Sequence, residues 1–67
     1  MEWETIETTT TQYSSGNWQL VRLRQMRVLS LTLWQVDREL HRDEIVSVSS
    51  WEFTDRGDAM VKYREVR

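Results

Sequence analysis

The residues of this chain best suited to chemistry are few, and they lie close together in sequence. His41 is the only histidine, and it sits among Asp37, Glu39, Asp43 and Glu44. Carboxylates beside an imidazole are the ingredients of a divalent-metal site or of acid–base catalysis. Were residues 37–44 a helical turn, Asp37 and His41 would share a face and could ligate one ion. Two ligands do not make a site, because zinc centres need three or four. A solvated polar turn is the simpler account, so no metal and no cofactor is expected.

The catalytic inventory is equally thin. Cys is absent, which removes thiol nucleophiles, thiolate metal sites and disulfides. No Gly-rich phosphate loop and no His-Glu-x-x-His pattern occurs, and the chain has only two glycines. A pocket of several hundred Å³ is hard to enclose with so few residues. The composition therefore points away from an enzyme. Arg56-Gly57-Asp58 spells a tripeptide read by adhesion receptors, but Gly between polar residues is also what a tight turn demands.

A second constellation combines Arg22, Arg24 and Arg27 with Trp18. Arginine for phosphates beside an aromatic ring for base stacking suits a single-stranded nucleic-acid platform on a sheet. The charge of the whole chain opposes it. Lys and Arg total 9 against 11 Asp and Glu, for a net charge of −2, and non-specific nucleic-acid binding is mainly phosphate neutralisation. Residues 1–17 carry −3 and residues 18–42 carry +3. The expected pairing is therefore across strands, with Glu2, Glu4 and Glu7 opposite the arginines.

These side chains need elements to hold them. Residues 3–13 are rich in Thr with aromatic ends and read as a strand, followed by turn chemistry at Ser14-Ser15-Gly16-Asn17. Segment 18–36 lacks Gly and Pro, yet its apolar residues scatter around a helical wheel. It reads better as one long bent strand, or as two strands kinked near residues 24–27. Val21, Leu23, Leu29, Leu31 and Leu33 fall on its odd face, and Trp18, Leu20, Trp34 and Val36 on its even face. A helix over about 18–28 is the alternative. Residues 37–44 read as a turn. Residues 45–54 read as a strand with a bulge near Ser49-Ser50. Asp55-Arg56-Gly57-Asp58 reads as a hairpin turn into a returning strand over 59–66.

The expected fold is all-β, one small domain over 1–67. It is a small antiparallel meander of four to five strands, able to close into a small barrel around Leu29, Leu31, Leu33, Val46, Val48 and Val61. The α+β form, with a helix over 18–28, is its rival. A chain of 67 residues buries only about 60% of its unfolded surface. With no disulfide, self-association is the staple left to it. Trp18, Leu20, Trp34 and Val36 on the even face are the candidate interface. The functional expectation is a small protein-interaction module that forms a homodimer or larger assembly, or acts as an adaptor or inhibitor on another protein. Nucleic-acid binding through Arg22, Arg24 and Arg27 is the alternative. No stretch approaches the roughly 18 apolar residues of a membrane span. Glu2-Trp3-Glu4 is acidic where a secretory signal is basic, and a cytoplasmic location is expected.

Overall fold

A computed structural model of the chain describes residues 2–67. Its elements run β1 (Glu4–Ser14), β2 (Asn17–Val28), β3 (Leu31–Arg42), β4 (Ile45–Phe53) and α1 (Arg56–Val66). The strands form one antiparallel sheet in the order β1-β2-β3-β4. The expected four-stranded meander is therefore present. It does not close into a barrel, since β1 and β4 remain the two edges.

Three short turns make the meander. Gly16 takes φ 80° between β1 and β2, and Asp43 and Glu44 take φ 50° and 67° between β3 and β4. Paired positive φ values are the twist-matched solution for a two-residue hairpin, and Asp tolerates them. The β2–β3 turn uses Leu29 at φ 58°, where a branched side chain fits poorly. The long segment 18–36 thus contains this turn, and the expected kink at 24–27 is absent: β2 pairs with β3 without interruption from Trp18↔His41 to Val28↔Leu31. Residues 37–42 continue β3 instead of forming a turn. The alternative helix over 18–28 is β2. The pairing of β4 with β3 is regular, with no bulge at Ser49-Ser50.

The turn at Leu29-Ser30 decides which residues are buried. It places odd-numbered residues of β2 opposite even-numbered residues of β3, as in Leu23↔Val36. Directly paired residues share a face, so Val21, Leu23, Trp34 and Val36 point to one side together. That side is covered by α1, where a returning strand was expected. Val21, Leu23, Val36, Ala59 and Tyr63 form the core, with Trp34, Trp51, Phe53, Met60 and Val66 packed around them. The core expected around Leu29, Leu31, Leu33, Val46, Val48 and Val61 does not form. All but Leu33 are exposed, and Leu33 is half-buried on the uncovered side.

Two features start and anchor the helix. The Asp55 carboxylate accepts the backbone N–H of Asp58 at 3.0 Å, an N-cap in extended conformation. At the other end the buried Gln19 amide donates to the Val66 carbonyl at 2.8 Å. Between them the Tyr63 hydroxyl hydrogen-bonds Thr9 on β1, so α1 crosses the sheet from β4 towards β1. Asp55→Ala is expected to lower stability by about 1 kcal/mol, the usual cost of losing a cap, measured as a fall in thermal midpoint. An unchanged midpoint would mean the cap contributes nothing here.

Candidate functional face

Among the described residues, no element covers the opposite face of the sheet. Its rows follow from the register: Gln12, Trp18, His41, Val46; Thr10, Leu20, Glu39, Val48; Thr8, Arg22, Asp37, Ser50; Thr5, Arg24, Gln35, Glu52. From position 35 onward the β3 residues of this face, at 35, 37, 39 and 41, are all polar, while three of their even neighbours, 34, 36 and 40, are apolar and Arg38 is the exception. That alternation is the signal that extends β3 through the region taken for a turn.

A connected polar seam runs down the middle. The Arg22 guanidinium lies 2.8 Å from the Asp37 carboxylate and 3.4 Å from that of Glu39. Arg24 lies 3.3 Å from Asp37 and also donates to the Gln35 side-chain carbonyl. Glu39 in turn meets His41 Nε2 at 3.1 Å. The His41 ring stacks on Trp18 with centroids 3.8 Å apart and planes within 8°. Trp3 lies under Arg24 at 5.8 Å, within the range of a cation–π contact. Asp37 is only 5% exposed, because the two arginines cover it. Apolar residues flank the seam, with Leu20, Val46 and Val48 on one side and Met26 and Leu33 on the other.

The structure separates the residues expected to act together. Trp18 and Leu20 lie on this open face, whereas Trp34 and Val36 face α1, with Val36 fully buried. The four therefore form no common surface, for the parity reason given above. Arg22 and Arg24 lie on the open face, but Arg27 points to the other side at the end of the sheet, where it shares a hollow with Glu2 and Glu4. For Arg22 and Arg24 the expected pairing with the N-terminal glutamates fails. Thr8 and Thr5 lie opposite Arg22 and Arg24 on β1, and the carboxylates come from β3. Sequence reasoning missed Asp37 as the centre of this network and Trp3 as its neighbour.

Among the described residues, no three His, Asp or Glu side chains gather where they could hold a metal ion. No helix among them is long and apolar enough to cross a membrane. Comparison with protein-family models, curated proteins and solved structures finds no match for this chain.

Proposed function

We propose that this protein is a non-enzymatic, self-associating protein-interaction module. The observation that carries the reading is the uncovered face, on which apolar side chains flank arginines already neutralised within the chain. A sheet with one covered face leaves Val46 and Val48 exposed and Trp18 and Leu20 half-buried on its open side. Aromatic residues and Arg with little Lys are also the composition of interface centres. The same pairing weakens the nucleic-acid alternative. Arg22 and Arg24 are held by Asp37, and Arg27 lies on the other side, so no run of free cations follows a phosphate backbone. The titratable groups of the face bind one another on an open sheet, which does not suit general acid–base work in an enclosed site. A cytoplasmic setting belongs to the same proposal and rests on the Cys-free composition.

Sedimentation equilibrium into the high micromolar range is expected to give dimers or larger species. A column of single-stranded DNA at low salt is expected to retain little protein. A monomer throughout that range overturns the proposal, and strong DNA retention would favour the alternative.

A further inference from the structure

We infer that Leu29, at the tip of the β2–β3 hairpin, docks into the cleft beside Trp18 and Val46 on a second copy, joining chains head to tail. This inference rests on the self-association proposed above and names the surfaces that carry it.

The knob is a projecting arm. β1 pairs with β2 only as far as Gln25, and β4 pairs with β3 only as far as Trp34. Residues 26–33 therefore extend beyond both edge strands as a two-stranded hairpin. Met26, Val28, Leu31 and Leu33 share its open side. Leu29 at the tip is 94% exposed, at φ 58°. Gly would take that conformation without steric penalty. Leucine there strains the backbone and buries nothing within its own chain, so a partner is what gives it a use.

The receptor lies at the other end. In a meander, successive turns alternate ends, so the turns at Ser15-Gly16 and Asp43-Glu44 sit opposite Leu29 along a molecule 44 Å long. Between those two turns opens a cleft of about 410 Å³, lined by Trp18, His41, Asp43, Glu44, Ile45 and Val46 among others. The Trp18–His41 stack forms an aromatic wall, and Ile45 and Val46 are 68% and 51% exposed. Charge is complementary as well. Arg27, the only charged residue of the arm, lines a hollow with Glu2 and Glu4 of its own chain but makes no ion pair among the described residues, while Asp43 and Glu44 border the cleft.

Knob and cleft at opposite ends cannot meet within one chain. They are also different surfaces, so the contact is heterologous. It leaves a free knob and a free cleft at the ends of every assembly, and growth is open unless a rotation closes a ring.

The test uses the whole chain in sedimentation velocity over a concentration series. Wild type is expected to shift to larger species as concentration rises. Leu29→Gly is expected to keep the circular dichroism spectrum and melt no lower than wild type. It should need about tenfold or more higher concentration to associate, the effect of losing one buried leucine at a contact. Val46→Glu, at an exposed position, is expected to block the cleft while leaving the fold intact. Each variant alone should then be monomeric, but an equimolar mixture should form a 1:1 dimer that grows no further. A wild type that never associates overturns this inference together with the proposal beneath it. A wild type that associates, with Leu29→Gly associating equally well or with no dimer in the mixture, overturns this inference alone.

Discussion

Tyr63→Ala is expected to leave most of the protein unfolded at room temperature. Tyr63 and Ala59 are the only two fully buried residues of α1, and the Tyr63 ring joins Val21, Leu23 and Val36 in the core. Its hydroxyl also reaches Thr9 on β1, so one side chain ties the helix to three strands. Truncating a buried aromatic costs about 3–5 kcal/mol. A domain this small has a total stability near the low end of about 5–15 kcal/mol, so the loss removes most of it. Tyr63→Phe keeps the ring and loses only the hydroxyl contact, for about 0.5–1.5 kcal/mol. Urea unfolding followed by circular dichroism should show the Ala variant without a folded baseline and the Phe variant with a modestly lower midpoint. An Ala variant as stable as wild type would mean that the helix does not depend on the sheet.

Asp37→Ala is expected to have the second-largest effect and to change what the open face binds. It removes the carboxylate shared by Arg22 and Arg24 and leaves two like charges side by side. Removing one partner of a fully buried ion pair costs about 3–5 kcal/mol, and an exposed pair contributes about 0–1 kcal/mol. Asp37 is nearly buried, but the arginine side chains are 33% and 24% exposed. Solvent therefore screens part of the repulsion, and a loss of about 2 kcal/mol is expected, between those limits. Glu39→Ala should cost less, because Glu39 is itself partly exposed and meets Arg22 at 3.4 Å. Added salt should restore part of the Asp37→Ala loss by screening the two arginines. Arg22 keeps Glu39 as a partner, but Arg24 is left with only the neutral Gln35 side chain, so the variant should also bind to single-stranded DNA at low salt more strongly than wild type does. If Asp37→Ala unfolds no earlier than wild type and binds no DNA, the seam neither stabilises the sheet nor restrains its arginines.

Several features of this protein were determined by the sequence alone. Thr, Val and Trp enrichment, with apolar residues that fit no 3.6-residue period over 18–36, specified strands. Gly16 marked the first turn, because positive φ carries no steric cost there. The strand over 45–53 was legible from its β-branched and aromatic residues between polar ends. A local pattern of this kind reports on the residues that make it, so each of these elements could be read without its neighbours.

Other features were decided only by the tertiary structure. Residues 59–66 satisfy two periods at once. Ala59, Val61 and Tyr63 alternate like a strand, while Ala59, Tyr63 and Val66 recur at helical spacing, and burial of the second set against β2 and β3 selects the helix. The Asp55 cap was the sequence signal for it, but the same four residues also read as a hairpin turn. The partner of Arg22 is likewise non-local. Charge blocks pointed to the N-terminal glutamates, yet the register sets Thr8 on one side and Asp37 on the other. The turn at Leu29-Ser30 is the most consequential case. Side chains alternate with a period of two, so reading one continuous strand through a two-residue hairpin assigns every later residue to the wrong face. That single turn sends Trp34 and Val36 under the helix and leaves Trp18, Leu20 and Leu33 on the open side. No individual residue encodes this arrangement, because a face exists only once the strands are paired.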